Sequence, residues 1–87
     1  MDKETLQKHY NQLSIYCRQY EQSELVLTLN YCRDYVYQNR DLYDYIHTAL
    51  GAGYPEGLYS ELFTGKYFLK DMKKILLAIK SDIDEMK

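Results

Sequence analysis

Residues 24 to 50 contain neither glycine nor proline, and their apolar side chains recur at alternating steps of four and three residues. This spacing places the apolar side chains on one side of an α-helix. At 1.5 Å per residue, the segment predicts one helix of about 27 residues, roughly 40 Å long. The stripe consists of Leu25, Leu29, Cys32, Val36, Asn39, Tyr43, Ile46 and Leu50.

Two alternatives stay open within this segment. Asn39 lies on the apolar stripe, and the residues QNRD at 38–41 could instead form a kink or a break, with Asp41 capping a new helix. The residues LVLTLNY at 25–31 also alternate as a β-strand does. Because the helical spacing continues beyond this stretch, the pattern favours a helix over a strand.

Two further segments carry the helical spacing, and a loop separates the second from the middle helix. Asp2 is a plausible N-cap for the first segment. Within GAGYPEG at 51–57, Gly51 suits the end of a helix and Pro55 cannot continue one. We therefore predict an all-α, single-domain bundle spanning residues 1–87. Its three main helices cover about 3–20, 24–50 and 66–86, with a candidate short helix at 56–63. The two flanking stripes are Leu6, Tyr10, Leu13, Cys17 and Tyr20, and Leu69, Met72, Leu76, Ile79, Ile83 and Met86.

Composition agrees with this fold class and leaves the charge unevenly distributed. One proline and four glycines in 87 residues are too few for the many turns of a sandwich or barrel. The net charge of −2 is too small to dictate a nucleic-acid or membrane partner. However, residues 1–65 carry five Lys or Arg against nine Asp or Glu, and residues 66–87 carry six Lys against four acids. This asymmetry indicates charge complementarity either within the fold or along an interface.

The cysteines and the hydropathy pattern indicate a cytoplasmic, reduced protein. Cys17 and Cys32 alone do not make a disulfide framework, and both lie on apolar stripes, as reduced core thiols do. The first ten residues lack the basic cap and apolar run of a signal peptide. No window approaches the roughly 18 consecutive apolar residues of a membrane span.

The middle segment has a second apolar and aromatic stripe beside the first. Together the two stripes span about 200° of the helix, against roughly 100° for a surface helix. The helix therefore needs cover on two sides, either from other helices of the bundle or from a second chain. A core this small cannot supply hydrogen-bond partners for the hydroxyls of eleven tyrosines. Each buried hydroxyl left without a hydrogen bond costs about 1–3 kcal/mol. Tyrosine is enriched in protein interfaces, so the candidate partner-binding residues are Leu27, Tyr31, Tyr35, Leu42 and Tyr45.

A weaker candidate surface is basic. Lys66, Lys70, Lys73 and Lys74 recur at helical spacing near the start of the last segment. Such a run is typical of the solvated face of an amphipathic helix, and it could also bind an acidic partner or a phosphate backbone. The alternative function is therefore a nucleic-acid-binding regulator that uses this helix.

Patterns for catalysis, metal binding and cofactor binding are missing from the sequence. Asp44 and His47 would share a helix face, but the paired Glu-x-x-His units of a di-metal bundle do not occur. GAGYPEG has the wrong glycine spacing for a dinucleotide site and follows a helix. We therefore predict no enzyme activity, no metal site and no cofactor.

The remaining function is binding. We predict a non-catalytic protein–protein interaction module that binds another protein or itself as a homodimer, with a self-associating structural protein as an alternative. Its size and mild acidity are typical of small bacterial or phage regulators, such as toxin-neutralising immunity proteins. That comparison rests on size and class, and no motif supports it.

Overall fold

The protein is a bundle of α-helices. The structure, a computed structural model, describes residues 1–50 and 67–86. Within these ranges the helices are α1 (Lys3–Ser23), α2 (Val26–Gln38), α3 (Arg40–Leu50) and α4 (Phe68–Glu85), and the same ranges contain no strand. The all-α prediction is confirmed, and the strand alternative at 25–31 is wrong because most of that stretch begins α2. The candidate short helix at 56–63 and the GAGYPEG loop lie outside the described residues.

Helix α1 begins at the residue that the sequence predicted. The Asp2 carboxylate accepts a hydrogen bond from the backbone N–H of Thr5 at 2.8 Å, which satisfies one of the unpaired donors at the helix start. The helix ends at Glu24, whose φ of 50° lies in the left-handed region. Ser23 does not cap the next helix, because Leu25 holds that N-cap position; the Ser23 hydroxyl donates to the carbonyl of Gln19 at 3.0 Å.

The segment predicted as one helix over 24–50 is divided at Asn39. This residue has φ −109° and ψ 87°, outside the helical region. Its side-chain amide donates to the carbonyl of Tyr35 at 2.7 Å, and its own carbonyl accepts from the Tyr43 N–H at 3.0 Å. The alternative of a break within QNRD is therefore confirmed. Asn39 occupies the junction, and Asp41 lies in the first turn of α3.

Helices α1 and α3 each pack on both α2 and α4. The core lies between these four helices. The rings of Tyr20 and Phe68 approach to 4.6 Å between centroids, and the sulfurs of Cys32 and Met72 lie 3.8 Å apart. The buried apolar residues are Leu6, Leu13, Cys17, Tyr20, Leu29, Cys32, Val36, Leu42, Ile46, Phe68, Met72, Ile75 and Ile79.

The buried side of α4 is rotated from the predicted stripe. Phe68 and Ile75 are fully buried, whereas Leu69 and Leu76 are half-buried. The buried side of α4 is therefore centred toward Phe68 and Ile75 and away from Leu69 and Leu76. This rotation leaves Leu77 on the outer surface of α4.

Candidate functional site

The outer side of α2 carries four exposed apolar side chains near its start. Leu27 and Tyr31 are 57% and 55% exposed and lie one helical turn apart. Leu25 and Val26 are also exposed at the N-terminal end of the helix. The helix takes this orientation because Thr28, Leu29, Cys32 and Val36 occupy its buried side. We call the set Leu25, Val26, Leu27 and Tyr31 the α2 face.

The first residue of the α2 face lies at the N-cap of the helix. Leu25 has the extended backbone of an N-cap, with φ −75° and ψ 130°, but its side chain makes no capping hydrogen bond. Ser, Thr, Asp and Asn stabilise a helix at this position, and leucine does not. An exposed leucine therefore stands where a polar residue would stabilise the fold more.

The other predicted partner-binding residues point elsewhere. Leu42 is fully buried in the core, so its assignment to a binding surface is wrong. Tyr35 and Tyr45 are half-buried, and each hydroxyl is hydrogen-bonded within the chain. The break at Asn39 gives α3 its own orientation, so the second stripe is not continuous from Tyr31 to Leu42. Only Leu27 and Tyr31 of the predicted set are exposed.

The hydroxyl of Tyr35 belongs to a polar network around His9, which is buried at 1% exposure. It lies 2.7 Å from Nδ1 of His9, and Nε2 of the same ring lies 3.3 Å from the Asp41 carboxylate. Because an ionised carboxylate only accepts hydrogen bonds, Nε2 carries the proton toward Asp41. With the proton assigned to Nε2, Nδ1 accepts from the Tyr35 hydroxyl. The network joins α1, α2 and α3.

The order Asp41, His9, Tyr35 has the connectivity of a triad that activates a hydroxyl nucleophile. However, burial raises the pKa of the Tyr35 phenol, and the neighbouring Tyr16 and Asp41 raise it further. An activated nucleophile needs the opposite shift. Burial also disfavours the charged form of Asp41, but the Leu42 N–H and His9 outweigh it and lower the pKa of this carboxyl. The electrostatics thus favour a structural network with a protonated tyrosine.

Tyr45 makes a similar connection between α3 and α4. Its hydroxyl donates to the Asp82 carboxylate at 2.5 Å. Burial raises the pKa of the Tyr45 phenol, and the adjacent negative charge of Asp82 adds to the effect. Tyr35 and Tyr45 therefore use their hydroxyl groups to connect helices inside the chain. These two tyrosines are explained by the fold and need no partner protein.

Both cysteines are free and buried, as the sequence predicted. Burial raises the pKa of the Cys17 thiol, and the nearby Glu21 acts in the same direction. Burial likewise raises the pKa of Cys32. Since the thiolate is the reactive form, neither residue has the properties of a nucleophile.

The predicted basic patch lies on the outer side of α4. Lys70, Lys73 and Lys74 are exposed there, while Lys66 lies outside the described residues. Lys73 forms an ion pair with Glu21 of α1 at 3.1 Å. Leu77, which is 70% exposed, lies among these lysines, with Lys80 on the following turn. The sequence pattern did not mark Leu77 as exposed, because this leucine directly follows Leu76 of the apolar stripe. Its spacing of three residues from Lys74 and from Lys80 was the available signal.

An open depression of about 540 Å³ lies on the outer surface around the α2–α3 junction. Its cation is already engaged, because the Arg40 guanidinium lies 4.7 Å from the centre of the Tyr43 ring and 3.3 Å from the Asp44 carboxylate. Within residues 1–50 and 67–86, no group of three His, Cys, Asp or Glu side chains could hold a metal ion. The lining residues are Tyr37, Arg40, Tyr43, Asp44, His47 and Thr48.

Comparison with known proteins gives no significant match to a family model, a curated protein or a solved structure. Among the described helices, none is long and apolar enough to cross a membrane.

Proposed function

We propose that the chain is a non-catalytic protein-binding module and that its α2 face contacts the partner protein. The exposure of Leu27 and Tyr31 on adjacent turns of one helix supports this most directly. Leu25 and Val26 are exposed as well, at the N-terminal end of the same helix. Contiguous exposed apolar residues are typical of interaction sites, and tyrosine is enriched in the residues that dominate binding energy.

The N-cap of α2 supports the same proposal. A leucine at this position forgoes about 1 kcal/mol of helix stability relative to a capping residue. Such a loss of stability is expected where a side chain contributes to binding a partner and not to the stability of the fold. We also propose that the protein works in the cytoplasm, where thiols such as Cys17 and Cys32 stay reduced.

Site-specific crosslinking in the source cells tests the proposal. A photoreactive phenylalanine replaces Tyr31 in one variant and Tyr37 in a matched control, since both tyrosines are exposed on α2. We expect a discrete crosslinked protein species from position 31 and little from position 37, because Tyr37 lies nearly two turns further along the helix and about 120° around it from Tyr31. Equal yields from both positions, or no product from position 31, would contradict the proposal.

A pair of substitutions gives an independent measurement. Leu27→Ser with Tyr31→Ser should abolish the crosslink from a probe placed at Val26, because the apolar contact is lost. The helical circular dichroism should stay unchanged, since both side chains are exposed. Unfolding of this variant would show instead that the two side chains belong to the core.

A further inference from the structure

Three of the four lysines of α4 form no ion pair within the part of the chain that the structure describes. Lys70, Lys74 and Lys80 are exposed and form no ion pair with any residue in the described ranges, whereas Lys73 pairs with Glu21. The uneven charge of the sequence indicated charge complementarity either within the fold or along an interface. Within the described residues, complementarity inside the fold accounts for only one of these four lysines. We call Lys70, Lys73, Lys74, Leu77 and Lys80 the α4 face.

The α4 face has an apolar centre. At 100° per residue its five members span about 120° of the helix, and Leu77 lies near the middle. Asp84 and Glu85 close its C-terminal end. A phosphate backbone satisfies lysines but offers nothing to a leucine that is 70% exposed. The composition fits a protein surface that presents acidic groups around apolar side chains.

The α2 face has that composition. Glu24 precedes it and Asp34 follows it by one turn, and both acids are exposed. Its centre is apolar, with Leu27 and Tyr31 more than half exposed. Pairing two α4 faces antiparallel around Leu77 would set Lys74 against Lys80, and pairing two α2 faces would set acid against acid. Pairing α2 with α4 sets opposite charges together and covers both apolar centres.

We infer that the α4 face of one copy binds the α2 face of a second copy of this chain. This inference rests on the proposed function and names its partner. The contact is heterologous, so each copy retains one unused α2 face and one unused α4 face for further copies. Because it involves one helix face from each side, the interface is small and association is weak. Association therefore rises with protein concentration and falls with salt, which screens the exposed charges.

Charge reversal on each face tests the inference by sedimentation equilibrium. The wild type should show a mass that rises above 10.5 kDa with concentration at low salt. Lys70→Glu with Lys74→Glu should stay monomeric, and so should Glu24→Lys with Asp34→Lys. A 1:1 mixture of these two variants should associate again, because the unchanged α2 face of one variant fits the unchanged α4 face of the other and the two reversed faces also carry opposite charges. The quadruple variant, with both faces reversed, should associate again.

A matched control carries Lys3→Glu with Lys8→Glu, which makes the same charge change at exposed positions of α1. It should associate as the wild type does. A wild type that is monomeric at every concentration overturns the inference, as does a mixture that stays monomeric or a control that behaves like the α4 variant. Salt-sensitive binding of duplex DNA by a monomeric wild type also overturns it. A crosslink from position 31 to a foreign protein would leave the proposed function standing in each of these cases.

Discussion

Single residues explain why a small core can accommodate so many tyrosines. Tyr35 and Tyr45 are half-buried, and their hydroxyls are satisfied by His9 and Asp82 on other helices. Tyr20 contributes its ring to the core against Phe68. Tyr31 differs because its ring is exposed on α2. The tyrosines of the described chain therefore serve in ring packing within the core, in polar connections between helices and, at Tyr31, on a candidate binding surface.

The network around His9 predicts a specific cost for losing one hydroxyl. In Tyr35→Phe, Nδ1 of the buried His9 loses its hydrogen-bond donor, and an unsatisfied buried group costs about 1–3 kcal/mol. We expect urea unfolding to show a loss of that size. Tyr37→Phe, which removes a hydroxyl from an exposed tyrosine of the same helix, is the control and should change stability by less than about 0.5 kcal/mol. Equal losses in both variants would show that the network does not stabilise the fold.

At the scale of the helix, the ends are treated differently from one element to the next. Asp2 caps α1 through the Thr5 N–H, whereas Leu25 begins α2 without a capping bond. Asn39 ends α2 and begins α3, using its side-chain amide for the Tyr35 carbonyl and its own carbonyl for the Tyr43 N–H. The start of α2, which lacks a side-chain capping bond as the start of α4 does, coincides with the exposed α2 face.

The N-cap of α2 gives a prediction that separates stability from binding. Leu25→Ser supplies an oxygen that can accept from the first backbone N–H groups of α2, so we expect a gain of roughly 0.5–1.5 kcal/mol in the free energy of unfolding. Leu25→Ala removes the same side chain without supplying a cap and serves as the control. Both variants should weaken the crosslink from position 31, because both shorten the α2 face. A serine variant no more stable than the alanine variant would contradict the capping argument.

At the scale of the whole molecule, polar connections between helices add to the apolar core. His9 links α1 with α2 and α3, and the Tyr45–Asp82 bond links α3 with α4. These connections depend on protonated phenols, whose pKa values are raised by burial at Tyr35 and Tyr45. The charge of the molecule remains segregated, with exposed lysines on α4 and exposed acids beside the α2 face.

The raised pKa values predict a loss of stability at alkaline pH. In the unfolded chain a tyrosine ionises near its ordinary pKa of 10.0, while the folded state holds the proton of Tyr45 to higher pH. The stabilisation is therefore fully present below pH 10 and decreases as the pH rises above it. Tyr45→Phe should flatten this decrease, measured by urea unfolding at a series of pH values. An unchanged slope in the variant would show that Tyr45 does not contribute.

Local pattern explains which parts of the fold were predictable. The spacing of Leu6, Leu13 and Cys17 predicted α1 because helical periodicity is a property of adjacent residues. The same spacing could not settle the break at Asn39, since an asparagine is tolerated inside a helix and also at its end. The assignment of Leu42 to the binding surface was wrong because the stripe was extended through Asn39, where the backbone is not helical.

The sequence by itself determined that the chain is an all-α bundle, that α1 begins after Asp2, and that Cys17 and Cys32 lie in its core. Only the tertiary structure decided which apolar and tyrosine side chains remain outside. Periodicity reports the side of its own helix on which a residue lies, whereas exposure depends on what other helices cover. Leu42 and Tyr31 belong to the same sequence stripe, yet one is buried and the other is more than half exposed. Leu77 became part of a candidate surface because α4 packs through Phe68 and Ile75.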